Sequence, residues 1–316
     1  MTQLLDDPRT LSAARPDATR RARFGGVTVI VPCFNEEGII ADTVRQLTTL
    51  LEDMNRPYEL IVVDDGSTDG SPRELRTCAR TANARVLRNP RNRGYGYSLK
   101  RAIAEARYEI IAITDADGTY PNARLRELIE LVDGTDMVVG ARIGLNVNTP
   151  ALRRPAKWFL RKLAGYLAET DIPDLNSGLR VMKRTLVRRF MHLLPDGFSF
   201  TTTITLALLT HGYDVRYVPI DYYKRVGMSS IRPLRDTVGF LSLIVRTVMY
   251  FKPLKVFGPA TGILLLTAIV WGVASTLLLG SFATLSVLVI ALASMQLLAI
   301  GLLADLIDKR WPSPAA

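Results

Sequence analysis

The stretch from Val256 to Ala304 contains no Asp, Glu, Lys or Arg, and Gly280-Ser281 divides it into two apolar halves. Each half is longer than the ~20 residues that a helix needs to cross a bilayer. In hydrocarbon, helices satisfy their own backbone hydrogen bonds, whereas irregular chain does not. The sequence therefore predicts a transmembrane hairpin of two helices over residues 256–305, followed by a tail over residues 306–316.

Basic residues lie at both ends of this hairpin. Lys252 and Lys255 precede the first span, and Lys309 and Arg310 follow the second. The positive-inside rule places both ends, and the domain that precedes the hairpin, in the cytoplasm. Residues 231–255 combine apolar positions at helical spacing with Arg235 and Arg246, which predicts an amphipathic helix in the membrane interface. An ordinary core helix is the alternative.

Strand-like and helix-like segments alternate in residues 26–230. Polar, Arg-rich residues 1–25 lack the apolar region of a secretory signal, so we expect a mobile N-terminal arm there. Apolar runs predict five strands, and segments with helical periodicity predict helices between them. Asn35 is expected to cap the N-terminus of the first helix. The strands are Val27–Pro32, Leu60–Asp65, Arg85–Leu87, the run beginning at Ile110, and Asp136–Ala141. This alternation predicts a doubly wound, parallel α/β sheet.

Two carboxylates follow the central apolar run Ile110–Thr114, namely Asp115 and Asp117 around Ala116. Two acids that face one site repel each other unless a cation lies between them. Hard oxygen ligands suit Mg²⁺ or Mn²⁺, and a solvated acidic turn is the alternative interpretation. Other candidate site residues also follow predicted strands, where the ligand crevice of such sheets lies. They are Phe34–Glu36, Asp64, Asp65 and Arg142.

Composition narrows the function classes. The net charge of +10 is scattered along the chain, which favours anionic lipid or phosphate partners over nucleic acid. Only Cys33 and Cys78 occur, so no disulfide framework is expected. His192 and His211 are the only histidines, and no metal or nucleophile motif can be built on them. His211 precedes Gly212 and is expected to cap a helix.

Several motifs, in this order and spacing, resemble the inverting family 2 glycosyltransferases of the A type (GT-A), and within them the polyprenyl (dolichyl) phosphate sugar synthases. The resemblance extends from about Val27 to Ser230. The motifs are residues 31–37 (VPCFNEE), 63–70 (VDDGSTDG), 115–117 (DAD), 140–142 (GAR), 174–180 (DLNSGLR), 218–220 (VPI) and 225–229 (RVGMS).

The resemblance implies roles for residues on the donor side. A nucleotide sugar would be held by Pro32, Phe34, Glu36, Asp65, Asp115 and Ala116. Asp115 and Asp117 would be catalytic and would bind Mg²⁺ or Mn²⁺ on the diphosphate, with Thr119 as a possible third ligand. Many members carry Leu-Gln where this chain has Gly118-Thr119, so water is an alternative to the third protein ligand. Helix-terminal charge is the structural alternative for Glu36, and a turn-forming acid pair is the alternative for Asp64 and Asp65.

Arginines form the acceptor side in this resemblance. Arg142 and Arg225 match family positions that contact phosphate and are expected to be catalytic. Arg154, with Arg153 as the alternative, and Ser177 complete the expected acceptor-phosphate site. Guanidinium groups hold phosphate through paired hydrogen bonds, and a phosphate monoester is largely dianionic at pH 7, so it needs little help from a base. Ser230 stands where many relatives carry Lys, which removes one expected contact.

The sequence thus predicts an inverting transferase that moves mannose, glucose or N-acetylglucosamine from a GDP- or UDP-linked donor to polyprenyl phosphate. One alternative is a glycosyltransferase with another membrane acceptor in polysaccharide or glycolipid synthesis. A processive synthase is disfavoured by the two predicted spans and by the absence of Gln-x-x-Arg-Trp. The other alternative is a silent nucleotide-sugar-binding protein. The sugar, the nucleotide and the polyprenyl chain stay open, and homo-oligomerisation is possible.

Overall fold

A computed structural model describes residues 25–143, 162, 165–166, 169–223, 253–281 and 283–310. Nearly all of the predicted N-terminal arm and of the predicted interfacial helix lies outside these residues. Arg153, Arg154, Arg225 and Ser230 lie outside them as well.

Seven strands form one sheet in the N-terminal domain. They are β1 (Val27–Cys33), β2 (Tyr58–Asp64), β3 (Ala84–Arg88), β4 (Ile110–Ile113), β5 (Met137–Ala141), β6 (Arg180–Lys183) and β7 (Val215–Pro219). The order across the sheet is β3-β2-β1-β4-β6-β5-β7. The five predicted strands are confirmed within two residues, except that β4 ends at Ile113. Both carboxylates, Asp115 and Asp117, therefore lie in the loop that follows β4.

Within the described ranges, six helices accompany this sheet, and two longer ones follow it. They are α1 (Ile40–Glu52), α2 (Ser71–Thr81), α3 (Tyr95–Glu105), α4 (Leu125–Leu131), α5 (Arg184–Phe190), α6 (Phe200–Thr210), α7 (Leu254–Leu279) and α8 (Thr284–Arg310). The helix predicted from Pro121 to Val132 is divided, because 3₁₀ turns flank α4 at Asn122–Arg124 and Val132–Gly134.

The sheet is mixed, so the prediction of an all-parallel sheet is wrong in one respect. β6 pairs antiparallel with both β4 and β5, while the other pairings are parallel. Because β6 runs in reverse, the loop before Arg180 lies at the edge where β1, β4 and β5 end. The order in which strands are added also reverses at β1, because β2 and β3 lie on one side of it and β4 lies on the other. Ligand crevices form beyond the strand ends at such points.

Alternating strand residues build two apolar layers, one on each face of the sheet. Val27, Val29 and Val31 of β1 face the layer of α1, α2 and α4, whereas Ile30 faces the layer of α3, α5 and α6. All four of these strand residues are fully buried. A sheet with helices on both faces must be apolar on both faces, which explains the nearly continuous apolar runs that predicted the strands.

The segment between β1 and α1 corrects one expectation. Asn35 does not cap a helix, because α1 begins at Ile40. Asn35 has φ of 57°, a left-handed conformation that asparagine tolerates better than most residues. Its Oδ1 instead accepts a hydrogen bond from the Thr68 backbone N–H at 2.9 Å. The side chain thus joins the loop after β1 to the loop after β2.

Helices α7 and α8 form the predicted hairpin. Both are long and apolar enough to cross a membrane, over Leu254–Leu278 and Thr284–Leu306. Gly280, which the sequence predicts to separate the two spans, ends α7 in a left-handed conformation. At Gly301 the helices approach so closely that a Cβ would lie 2.7 Å from Phe257 Cβ. Most of the large apolar side chains outside this contact are exposed, which is typical of lipid-facing helices and not of a soluble core.

The base of the hairpin contacts the N-terminal domain through Lys255. Its Nζ lies 2.7 Å from Glu169 Oε1 and donates to the Tyr166 carbonyl at 2.9 Å. Glu169 shortly precedes the loop that leads into β6. The start of α7 therefore contacts the segment that leads to the edge of the sheet where β1, β4 and β5 end.

Arg180 fixes β6 against α6. Its guanidinium is fully buried and donates to the carbonyls of Ser177 and Thr201 and to Thr205 Oγ1, with the latter two bonds at 3.0 and 3.1 Å. No carboxylate among the described residues forms a salt bridge with it. The arginine therefore acts as a multiple hydrogen-bond donor at the point where the reversed strand begins.

We expect Arg180→Met to lower the free energy of unfolding by about 3 kcal/mol, since a buried acceptor left without its donor costs about 1–3 kcal/mol. The apparent Tm in detergent should fall by roughly 5–10 °C. Exposed Arg188 provides the control, and Arg188→Met should leave the Tm unchanged. An unchanged Tm for Arg180→Met would show that these hydrogen bonds do not stabilise β6.

Candidate active site

The loops after β1 and β2 hold each other through side-chain caps on backbone N–H groups. Ser67 Oγ accepts from the Asn35 N–H at 3.0 Å, and Ser71 Oγ accepts from the Glu36 N–H at 2.9 Å. In return, Glu37 Oε2 accepts from the Gly70 N–H at 2.9 Å. These hydrogen bonds hold the loop after β1 in place. The end of β1 and that loop carry Pro32, Phe34 and Glu36, which are predicted to bind the nucleotide sugar. Phe34 is 40% exposed, so its ring is accessible to a ligand.

Asp65 organises the glycine-rich turn before α3. Its Oδ1 accepts from Asn89 Nδ2 at 2.7 Å and from the Arg93 N–H at 3.0 Å, and its Oδ2 accepts from the Gly94 N–H at 2.8 Å. The carboxylate is 4% exposed. The structure thus gives Asp65 a positioning role, and its expected contact with a nucleoside stays a prediction. The neighbouring Asp64 caps its own turn by accepting from the Ser67 N–H at 2.8 Å, as the turn-forming alternative predicted.

Asp115 is held between α3 and the loop before β6. Tyr95 Oη donates to its Oδ1 at 3.1 Å. Burial and the Asp115 carboxylate raise the pKa of Tyr95 well above its usual value, so the phenol keeps its proton and remains a donor. On the other side, a Cβ on Gly178 would lie 2.7 Å from Asp115 Oδ2. Only glycine leaves room for the carboxylate at this approach.

Asp117 is oriented by Thr119, the residue predicted as a possible third metal ligand. Thr119 donates to Asp117 Oδ1 through its backbone N–H at 3.1 Å and through its Oγ1 at 2.7 Å. Asp117 is 9% exposed, and Thr119 is fully buried. The Thr119 hydroxyl therefore acts in the structure as a donor to Asp117. Its role as a third ligand stays a prediction.

The oxygen donors after β4 fit a small, hard cation. Within the described part of the chain, no group of three His, Cys, Asp or Glu side chains is arranged to hold a metal ion. Asp115 and Asp117 could supply two carboxylates, and substrate phosphate and water would then complete the shell. This division of ligands is typical of Mg²⁺, which keeps several waters and binds through one or two carboxylates together with phosphates.

Arg142, directly after β5, forms a paired ionic contact with Asp174. Nε donates to Oδ2 at 2.7 Å and Nη2 donates to Oδ1 at 2.9 Å, while the Arg142 backbone N–H also donates to Oδ2 at 3.0 Å. The Asp174 side chain is 2% exposed and that of Arg142 is 18% exposed. The contact fixes the plane of the guanidinium. Within the described part of the chain, no group accepts a hydrogen bond from Nη1.

Ser177 is placed differently from its expected role. Its Oγ is fully buried and donates to the Gly140 carbonyl at 2.6 Å. It therefore ties the loop before β6 to β5, and its contact with a phosphate stays a prediction. The neighbouring Gly178 N–H donates to Tyr120 Oη at 2.6 Å. This loop is thus fastened both to β5 and to the segment that carries Asp117.

The chain that leaves β7 is also fastened beside Asp117. The Tyr223 N–H donates to the Thr119 carbonyl at 2.9 Å, and the rings of Tyr222 and Tyr120 lie edge to face with centroids 5.3 Å apart. Tyr222 also lies under Arg142, with 5.2 Å from the guanidinium carbon to the ring centroid. The described residues end there, two positions before Arg225.

Some of the residues that hold this site were not identified from the sequence. Three residues contact Asp115 or Arg142 directly: Tyr95, Asp174 and Gly178. Of these, Asp174 and Gly178 belong to the motif at residues 174–180, whereas Tyr95 belongs to none of the motifs. Tyr95 follows Gly94 in a glycine-rich turn, which was the one available signal. His211 is confirmed as a helix cap, with Nδ1 2.8 Å from the Ala207 carbonyl at the end of α6.

Comparison with known families agrees with this arrangement. Residues 28–191 match Glycosyl transferase family 2. The chain belongs to that family. It is a glycosyltransferase. Residues 252–309 match the GtrB C-terminal hairpin, which confirms the hairpin expected from the charge-free run.

Two curated relatives come from Haloferax volcanii. One is a dolichyl-phosphate hexose transferase, 28% identical over 228 residues that cover 72% of this chain and 95% of the relative. The other is the low-salt glycan biosynthesis hexosyltransferase Agl6, 28% identical over 216 residues. These residues are 66% of this chain, but the match spans only about half (51%) of Agl6.

Solved structures share the fold. Glucosyl-3-phosphoglycerate synthase from Mycobacterium tuberculosis, solved with Mn²⁺, UDP-glucose and phosphoglyceric acid, superposes with a TM-score of 0.55 at 20% identity. The superposition covers 73% of this chain and 81% of the synthase. It confirms the GT-A-like α/β fold.

Gly178→Ala tests the approach of the loop before β6 to Asp115. The added Cβ must displace the carboxylate or the loop, and a misplacement of about 1 Å in an active site costs roughly 100-fold in rate. We expect sugar transfer to fall by about that factor while the Tm stays within a few degrees. Gly197→Ala is the matched control, because its Cβ would meet no atom within 4 Å. Equal rates for both variants would contradict the proposed crowding at Asp115.

Thr119→Val tests the hydrogen bond to Asp117. The valine keeps the volume but removes the hydroxyl donor, and loss of a group that orients a metal ligand typically costs 10–100-fold in metal affinity. We expect the Mn²⁺ concentration for half-maximal transfer to rise roughly tenfold. Thr119→Ser retains a hydroxyl and should recover most of the affinity. A Thr119→Val enzyme with an unchanged metal requirement would show that Thr119 does not position Asp117.

Proposed function

We propose that this glycosyltransferase moves one hexose from a nucleotide sugar to polyprenyl phosphate at the cytoplasmic face of the membrane, with inversion and release of the nucleoside diphosphate. One observation carries the proposal. A family 2 domain and a GtrB-type hairpin are joined in a chain that matches a dolichyl-phosphate hexose transferase over 95% of that relative's length. A hairpin in the membrane keeps the domain where a lipid-linked phosphate is presented.

On the donor side, the braced loop with Pro32, Phe34 and Glu36 would receive the nucleoside of a GDP- or UDP-linked sugar, together with Asp65 and Ala116. Asp115 and Asp117 would hold Mg²⁺ or Mn²⁺, either of which is present in structures of the related synthase. When bound, the ion neutralises charge on the departing diphosphate. Tyr95, Gly178 and Thr119 keep the two carboxylates in place for it.

On the acceptor side, an anionic nucleophile fits the residues that are present. His211 follows α6 with its ring against Phe190, and His192 lies in the 3₁₀ turn Met191–Leu193. The phosphate of a polyprenyl phosphate carries its own negative charge and needs orientation more than deprotonation. Arg142, held in one plane by Asp174, would bind it from β5.

The other expected acceptor residues lie outside the described part of the chain. Arg225 comes two positions after Tyr223, whose backbone is bonded to Thr119. Arg225 stays the proposed second contact of the acceptor phosphate. Arg153 and Arg154 stay the proposed further contacts of the acceptor phosphate.

The charges around the hairpin support the cytoplasmic orientation. Lys252 and Lys255 precede α7, and Lys309 and Arg310 end α8, so both basic ends would remain on the cytoplasmic side. Because Lys255 contacts Glu169, the start of α7 is close to the segment that leads to the loop before β6. That loop carries Asp174 and Ser177.

A transfer assay tests the proposal. Purified protein in detergent is given polyprenyl phosphate, Mn²⁺ or Mg²⁺, and radiolabelled GDP-mannose, UDP-glucose or UDP-N-acetylglucosamine in turn. We expect label to enter the lipid phase with one donor and to be lost on chelation. Asp117→Ala should lower the rate at least 100-fold, since a metal ligand is removed, whereas the exposed Asp133→Ala control should retain it.

Other outcomes would change the proposal in defined ways. Label transferred to a glycolipid or polysaccharide acceptor but not to polyprenyl phosphate would favour the alternative acceptor class. Turnover that survives Asp117→Ala would overturn the metal assignment. No transfer and no hydrolysis with any donor, from a protein that still binds nucleotide, would indicate a silent binding role.

A further inference from the structure

An aromatic side chain is exposed beside the candidate active site. Phe198, in the loop before α6, is 71% exposed, the highest value for a large apolar side chain in the described part of the N-terminal domain. Its ring stacks on that of Tyr95, with centroids 5.6 Å apart and an interplanar angle of 21°. Tyr95 Oη in turn donates to Asp115. Phe198 therefore lies one aromatic ring away from a carboxylate of the proposed metal site.

The loop that carries Phe198 is fixed against α3. The Tyr97 N–H donates to the Asp196 carbonyl at 3.0 Å. Glycine permits this close approach, because a Cβ on Gly96 would overlap the Pro195 carbonyl oxygen. The ring is thus exposed on a fixed backbone. Exposed aromatic rings with a few polar groups beside them are typical of ligand pockets.

A polar side chain lies beside this ring. Asn176 Oδ1 accepts from Thr201 Oγ1 at 2.7 Å, and the same hydroxyl lies 3.3 Å from the Phe198 carbonyl. This contact orients the amide so that Nδ2 presents two N–H donors, and among the described residues no group accepts from them. Asn176 is partly exposed, and it comes two residues before Gly178, which closely approaches Asp115.

An aromatic face beside amide donors suits a hexose. A pyranose has apolar C–H groups on its faces and hydroxyl groups around its edge, so an aromatic ring and polar side chains bind it together. In the proposed function, the loops after β1 and β2 receive the nucleoside, and Arg142 receives the acceptor phosphate. The hexose is bonded to the diphosphate, whose cation Asp115 and Asp117 would hold. It would therefore lie close to Asp115, which Tyr95 and Gly178 contact from two sides.

We propose that Phe198 and Asn176 bind the hexose of the nucleotide sugar and determine which hexose is accepted. The Phe198 ring stacks on one C–H face of the sugar, and the Asn176 amide donates to one of its hydroxyl groups. A site built to hydrogen-bond a hydroxyl rejects an analogue that lacks it. This inference rests on the proposed transfer of a hexose from a nucleotide sugar, but not on the identity of the acceptor.

Donor binding tests the aromatic contact without any transfer. Calorimetry on the purified chain in detergent with Mn²⁺ measures the dissociation constants of UDP-glucose, UDP-N-acetylglucosamine, GDP-mannose, UDP and GDP. For the nucleotide sugar that the wild-type chain binds most tightly, Phe198→Leu should raise the constant roughly fivefold, the loss expected for an aromatic stacking contact. The constant of the matching diphosphate should not change. Phe198→Tyr retains the ring and should bind the donor normally, and Tyr166→Leu, at an exposed ring beside α7, should alter neither constant.

Asn176→Ala tests the amide contact. The Thr201 hydroxyl keeps the Phe198 carbonyl as an acceptor, so the Tm should stay within a few degrees. We expect the nucleotide-sugar dissociation constant to rise about fivefold, as for one lost hydrogen bond, with that of the diphosphate unchanged. Deoxy analogues of the same donor identify the partner. The analogue that lacks the bonded hydroxyl should bind equally to the wild-type chain and to Asn176→Ala.

The possible results separate this inference from the proposed acceptor. Unchanged donor binding in either variant would overturn the contact of that residue, and an equal loss for nucleotide sugar and diphosphate would indicate a structural role instead. A raised KM for polyprenyl phosphate without weaker donor binding would place Phe198 at the lipid chain and overturn the sugar contact. Selective loss of nucleotide-sugar binding would support the inference even if no sugar reached polyprenyl phosphate, in which case only the proposed acceptor would be wrong.

Discussion

The antiparallel pairing of β6 between β4 and β5 is the constraint on which the site depends. A parallel strand in this place would put the loop before it at the opposite edge of the sheet. Reversal brings Asp174, Ser177 and Gly178 to the edge where β4 and β5 end. The buried guanidinium of Arg180 holds the start of this strand against α6. Asp115 and Arg142, which leave two different strands, are thereby contacted by one loop.

The site is stabilised by side chains that bind backbone groups and by contacts between loops. Ser67, Ser71 and Glu37 cap N–H groups across the two donor loops. Thr119 and Tyr95 orient the two carboxylates. These partners keep two mutually repelling acids in place, so the proposed cation would bind with little rearrangement. Preorganisation of this kind is what electrostatic stabilisation of a departing diphosphate requires.

The membrane hairpin and the soluble domain obey different rules of packing. In the sheet, apolar burial on both faces selects the arrangement. In the hairpin, lipid is as apolar as leucine, so close contacts such as Gly301 against Phe257 and polar partners determine which faces meet. Lys255 joins the two regions through Glu169 and Tyr166. The segment that leads to the loop before β6 is thus linked to the start of the hairpin.

The sequence alone determined the fold class, five of the seven strands, the hairpin and the family. These follow from local signals, namely apolar runs, helical periodicity, a charge-free segment and short motifs. It also placed Asp115, Asp117 and Arg142 at strand ends. Asn35 was assigned wrongly as a helix cap, because its left-handed conformation is set by the loop after β2 and not by the residues that follow it.

Only the tertiary structure decided the direction of β6, the engagement of Arg142 by Asp174 and the use of Thr119 as a donor to Asp117. β6 is four residues long and its neighbours are distant in sequence, so no local pattern could show its direction. Likewise, the need for glycine at position 178 arises from a carboxylate 63 positions earlier, at Asp115. Such constraints come from long-range contacts, which exist only once the chain has folded.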